Sequence, residues 1–312
     1  MTRTTTTTRR TLLATATAAA TAAALALTLA ACGSDAMSGM DHGTMPSTSR
    51  SAAGHDMPND MPGMSHGPDG MAGMPGMAHS ADGPAAEQGG YRLDGGLAGN
   101  EYRFTVTGPD GKVLTEYQPE QTKEMHFYAI RSDLSGFQHL HPTRSADGTW
   151  TAPLAALQPG DWRMYASFVP GAGSGKGTGL VLSRTATVAG QATPVPLPAA
   201  AATSTVDGYS ITVAGTPKAG AAGELTVTVS KDGKPVTDLE PYLETYAHLT
   251  AFHAGDQAFA HLHPETGVTA QGGGPTLSFH AELPKAGDWR LFLQFQTGGT
   301  LHTAALTLNA AA

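Results

Sequence analysis

The sequence predicts an all-β protein: two tandem antiparallel β-sandwiches, immunoglobulin-like or cupredoxin-like, after a disordered Met/His-rich linker. Three observations lead there. The later part of the chain repeats itself in two blocks of about 100 residues, a length that suits one sandwich each. Each block consists of short runs of alternating apolar and polar residues separated by turn residues. The stretch before them is too rich in Gly, Pro, Ser and Asp to bury a core.

Residues 1–31 read as a removable leader. A basic start, TRTTTTTRR, precedes an apolar run from Leu12 to Ala31, and the segment ends in LAAC at Leu29 to Cys32. That ending resembles the lipobox of bacterial lipoproteins. The resemblance implies that Cys32, the single cysteine of the 312 residues, becomes the acylated first residue and holds the protein to a membrane outside the cytoplasm. The pair Arg9 and Arg10 also resembles a twin-arginine export signal. An uncleaved membrane anchor is the other reading of residues 12–31. With one cysteine, no disulfide within the chain staples the body. The formal net charge is −8, and removing Arg3, Arg9 and Arg10 takes it to −11. That balance disfavours nucleic acid as a partner and suits cations.

Residues 32–90 read as linker, yet they are not neutral filler. Between 37 and 79 stand nine methionines (Met37, Met40, Met45, Met57, Met61, Met64, Met71, Met74 and Met77) and four histidines (His42, His55, His66 and His79). A segment without a core has no packing use for so many thioethers. Thioether sulfur is soft and prefers Cu(I), whereas imidazole also accepts Cu(II) and zinc. Spacings such as Met61–Met64 and Met74–Met77 let a flexible chain bring several sulfurs to one ion. Copper is therefore the expected ligand of the tract and zinc the second candidate. A plain spacer, a methionine antioxidant sink and a compositional accident are the competing readings.

The repeat spans residues 91–190 and 206–309, joined by a Pro/Ala linker over 191–205. DGK at 110–112 answers DGK at 232–234, and His126 answers His248. HLHP at 139–142 answers HLHP at 261–264, and GDWR at 160–163 answers GDWR at 287–290. Trp162, Met164, Ala166 and Phe168 alternate along one expected strand, as do Trp289, Leu291, Leu293 and Phe295 along its counterpart, and both sets are expected in cores.

In HLH, successive side chains point to opposite faces, so His139 and His141 share one face and Leu140 takes the other. A hairpin centred on Asp133 and Leu134 sets His126 opposite His141, and a turn at Gly255 and Asp256 sets His248 opposite His263, with His261 two positions along. Each block thus offers three imidazoles to one ion: His126, His139 and His141, then His248, His261 and His263. A one-residue slip would send the lone histidine to the wrong face. The alternative is that HLHP ends a strand, its histidines bonding loop carbonyls or joining the two blocks. His302, late in the last strand, could join the second site but is expected to be exposed, and His253 near its turn has no nameable partner.

The HLHP and GDWR blocks resemble the YtkA-like β-sandwich domains of bacterial exported proteins. With the Met/His tract they are also similar to periplasmic copper carriers of the CopC kind. The resemblance implies copper sequestration, resistance or delivery to another exported copper protein. It does not extend to a ligating free N-terminal histidine, because the mature chain would begin at acylated Cys32. No enzyme is expected: there is no phosphate-binding Gly-rich loop, HExxH helix or Cys-Met blue-copper pair. The rival function is a tandem immunoglobulin-like cell-surface interaction module with structural histidines on a flexible stalk.

Overall fold

The computed structural model describes residues 85–269 and 272–312, with the backbone alone of His263. The leader, Cys32 and the Met/His tract with its expected ligands lie outside the described residues. Every regular element among the described residues is a strand. The described residues are all-β, in two tandem antiparallel sandwiches. No helix among the described residues is long and apolar enough to cross a membrane.

The first sandwich is built from β1 (Glu87–Gln88), β2 (Tyr91–Ala98), β3 (Glu101–Thr107), β4 (Tyr117–Gln118), β5 (His126–Arg131), β6 (Gln138–Leu140), β7 (Thr143–Arg144), β8 (Trp150–Pro153), β9 (Gly160–Pro170) and β10 (Leu180–Val188). One sheet runs β1-β2-β3-β8-β7 and the other β10-β9-β5-β6, with β4 pairing β9. Strand β1 lies inside the segment read as linker, where Glu87 pairs with Arg92.

The second sandwich contains β11 (Thr203–Val206), β12 (Tyr209–Ala214), β13 (Ala222–Lys231), β14 (Lys234–Pro235), β15 (Ala247–His253), β16 (Phe259–Pro264), β17 (Thr276–Glu282), β18 (Gly287–Thr297) and β19 (Thr300–Ala310). Here the two layers are one folded sheet. Strand β16 pairs with β15, and its last two residues cross to β17 through His263↔His280 and Pro264↔Phe279. In the first sandwich the corresponding path breaks at His141 and Pro142, so β6 and β7 belong to different sheets.

Each sandwich has its own core. Phe104, Phe127, Trp150, Trp162 and Phe168 fill the first; Tyr246, Leu249, Phe279, Trp289 and Phe295 fill the second. Each such buried side chain contributes about 1.5–3 kcal/mol by leaving water. The tryptophans of the two GDWR strands are buried with the indole N–H satisfied: Trp162 donates to the Gln158 carbonyl and Trp289 to that of Lys285. The Trp162 ring closes over Gly136, whose φ is +70° and where an added methyl would collide with the indole. Replacing Gly136 by alanine is therefore expected to cost about 2–4 kcal/mol, overpacking plus left-handed strain, read as a lowered urea midpoint.

A third apolar cluster lies between the sandwiches. Tyr128, Ile130, Tyr165, Phe252, Phe259 and Phe292 meet there. Strands β5 and β15 are consequently buried on both faces: Phe127 and Ala129 pack in the first core, whereas Tyr128 and Ile130 pack in the junction. The junction is self-complementary. Phe137 of the first sandwich stacks on Phe292 of the second at 4.2 Å, and Phe259 of the second stacks on Tyr165 of the first at 5.3 Å. In the repeat Phe137 corresponds to Phe259 and Tyr165 to Phe292, so the two contacts exchange roles as in an isologous interface.

Candidate metal centre

The hairpin registers carry the histidines to this junction. Strand β5 pairs with β6 as Phe127↔Leu140 and Tyr128↔His139, and β15 pairs with β16 as Leu249↔Leu262 and Thr250↔His261. These are the registers the sequence argument requires. They direct Leu140 toward the first core and leave His126 on the junction side, one step from His141.

His126, His139 and His141 offer ring nitrogens that all lie within 4.8 Å of one another. His126 is buried at 1% exposure, and the other two are half-buried. The His126 Nδ1 lies 3.1 Å from the His139 Nε2. What the other nitrogen of each ring does decides the chemistry. His126 Nε2 stands 3.0 Å from the Glu120 carbonyl oxygen, which can only accept, so Nε2 carries the proton. His139 Nδ1 donates to the Gln294 side-chain oxygen at 2.7 Å. In neutral rings the two facing nitrogens are then both lone pairs, and neither can bond the other. The Nε2 of His141 is buried without a hydrogen-bond partner.

All three rings are held neutral. Burial lowers the His126 pKa, against the raising effect of the Glu120 carbonyl. Burial first, then the neighbouring His126 and His141, hold His139 well below its usual value despite the Gln294 bond. His141 is pushed down to about 3 by burial, then by His126, Lys123 and His248. A histidine that is neutral folded but protonated unfolded makes the unfolded state take up more protons as pH falls. Stability of the metal-free protein is thus expected to drop from pH 6.5 toward about 3 through these rings. Glu120, whose carboxyl pKa is raised by burial, works the other way above its usual value. Urea midpoints at pH 7.5 and 5 check this: the drop should shrink when the three rings are replaced by glutamine.

A backbone device sets the first ring in both copies. Gln121 and Thr122 occupy left-handed conformations, φ 45° and 70°, in a two-residue turn closed by Glu120 and Lys123. Leu243 and Glu244 repeat it at 52° and 63°, closed by Tyr242 and Thr245. Such turns favour Asn and Gly, and ordinary side chains in them store strain. In each copy the first carbonyl of the turn receives a histidine Nε2: Glu120 that of His126, and Tyr242 that of His248 at 2.9 Å.

Of the expected second set, two rings are described. His248 and His261 are buried at 1% and 4%, with ring centres 6.3 Å apart, and of His263 only its place in the β16 ladder is described. Both buried rings face the first set: His248 lies 6.0 Å from His139, and His261 lies 6.3 Å from His126. The histidines of both blocks, five of them described, gather around one junction, because the blocks pack by the faces that carry them.

Other histidines are settled differently. His302 is not exposed as expected but 7% exposed, its Nδ1 2.8 Å from Asp207 and its Nε2 3.1 Å from Thr297, because Tyr209 and Phe295 pack on its ring. His253 bonds Asp256 at 2.7 Å within its turn. Met125 and Met164 are core residues. Two residues of the site were missed in the sequence, Glu120 and Gln294. Gln294 had a visible sign: with Arg290 and Phe292 it lies on the face of β18 opposite the core series.

No curated protein matches the chain in sequence. Among solved structures it is similar to domains 4 and 5 of the S-layer protein SbsC, at 12% identity over 69% of this chain and 84% of that one, with a TM-score of 0.21. It is similar to the D0-D1 domain of intimin at 13% identity over 71% and 97%, TM-score 0.22. The chicken CNTN1 FN1-FN3 domains give 9% identity over 74% and 65%, TM-score 0.21. At this level of superposition the likeness says nothing of the site. A family described as a domain of unknown function, DUF8832, matches residues 204–312, so the second sandwich is the part that is similar to it.

Proposed function

We propose that this chain is an exported, lipid-anchored protein that binds copper, with zinc the second candidate, for sequestration, resistance or delivery to another exported copper protein. One observation carries the reading: the outer nitrogens of His126 and His139 are occupied as donors, and their lone pairs face each other at 3.1 Å beside His141. Ligand nitrogens about 2.0–2.1 Å from a tetrahedral ion stand roughly 3.3–3.4 Å apart, close to that spacing. The Glu120 carbonyl and Gln294 then serve as the outer partners that orient ligating imidazoles. His141 also lines a surface cavity of about 230 Å³ with Lys123, Glu124 and Arg144, so an ion from solvent meets it first. The Met/His tract would capture Cu(I) near the membrane to which acylated Cys32 holds the chain, and binding rather than turnover is the proposed activity.

A second reading is favoured by one contact. The His139–Gln294 bond joins the two sandwiches, which suits a tandem immunoglobulin-like surface module whose histidines lock its domains. Chelator-competition titration of the mature chain with copper and with zinc separates the two. Replacing Gln294 by leucine is expected to weaken the domain site about 10–100-fold, the usual cost of losing an outer partner. A Gln294→Leu protein that binds as the parent does, but unfolds more easily, would favour the module.

A further inference from the structure

We propose that the junction is a two-ion centre, in which His126, His139 and His141 hold one transition ion and His248 and His261 hold a second beside it. This rests on the metal-binding reading and adds a site to it.

The argument starts from symmetry. The same pseudo-twofold relation that exchanges the Phe137–Phe292 and Phe259–Tyr165 contacts carries His126 onto His248 and His139 onto His261. The orienting device is carried over too, since each strand histidine has its Nε2 on the first carbonyl of a left-handed turn. In neutral His248 the lone pair therefore sits on Nδ1, as in His126.

Distance points the same way. Two imidazoles facing one ion from opposite sides at about 2.0–2.1 Å place their ring centres roughly 6 Å apart. The His248 and His261 rings are 6.3 Å apart and only 23° from parallel, the span of a two-coordinate ion. Imidazole pairs of this kind suit Cu(I). The second set stands off the first by 6.0 Å and 6.3 Å between ring centres, near enough for two ions to sit side by side. The halves also differ: Tyr242 replaces Glu120 at the turn, and Thr250 stands where Tyr128 stacks on His139 at 4.4 Å. Unequal affinities for the two ions follow.

The test uses the full mature chain loaded with Cu(I) under reducing conditions and dialysed against a competing chelator, with copper counted per chain. The His248→Gln/His261→Gln protein should hold one ion fewer than the parent, the His126→Gln/His139→Gln/His141→Gln protein also one fewer, and the protein carrying all five changes two fewer. A His248→Gln/His261→Gln protein that keeps the parent's count overturns the second ion. A three-histidine variant that keeps it overturns instead the reading on which the proposal rests. A measurement without mutation guards against misfolding, because Cu(I) is diamagnetic. On loading, the ring-nitrogen resonances of His248 and His261 should shift as well as those of the first three histidines. Their staying still while the first three move sinks the second ion.

Discussion

Replacing His141 by leucine is expected to weaken metal binding at the junction a few hundred-fold while leaving the metal-free protein as stable as the parent or more so. The first half follows from ligand number: about 10–16 kcal/mol for a four-ligand structural zinc site is roughly 2.5–4 kcal/mol per ligand, centred on a few hundred-fold. The second half follows from the buried Nε2 that no group satisfies. Removing such an atom relieves a desolvation penalty of about 1–3 kcal/mol, and leucine restores apolar contact of similar size. Chelator competition measures the first effect and urea denaturation of the metal-free protein the second. The two signs together separate a binding site from a structural one: if the histidine served only to hold the sandwiches together, leucine would lower stability.

The junction itself supplies the other large effect. Phe252 is fully buried there, with Tyr165, Phe259 and Phe292 at ring distances of 5.3 Å, 5.6 Å and 6.0 Å, and it belongs to neither core. Phe252→Ala is expected to cost about 3–5 kcal/mol. Because part of the loss falls on docking, through the contact with Tyr165, denaturation should separate into two transitions, and the linker around residues 191–202 should become easier to cleave. A single transition at the parent's midpoint would mean that the sandwiches do not rely on this contact.

Much of the molecule could be read from residues alone, and the limits have physical causes. Strand alternation and the repeat pointed to the sandwiches, and turns centred on Asp133–Leu134 and Gly255–Asp256 gave the hairpin registers, whereas a period of two by itself only puts Phe127 and Leu140 on one face. The three rings of the first set followed from that register. Their surroundings did not, because pleat periodicity assigns side chains to faces without saying which faces meet. A partial sign was present: Phe127 to Ile130 and Leu249 to Phe252 are nearly continuous apolar runs, as strands buried on both sides require. Gln294 is 155 residues from the ring it orients, a distance over which local patterning carries no information. Glu120 acts through its backbone carbonyl, which any residue could supply.

The exchanged aromatic contacts also bear on ancestry. A surface that fits its own copy needs only one gene to arise, so the single-domain forerunner of this chain is expected to have been a homodimer. Fusion through the Pro/Ala segment would then have turned an encounter between molecules into a fold within one, independent of concentration. Once fused, the halves were free to diverge, and the unbroken β16 opposite the break at His141 and Pro142 records that freedom.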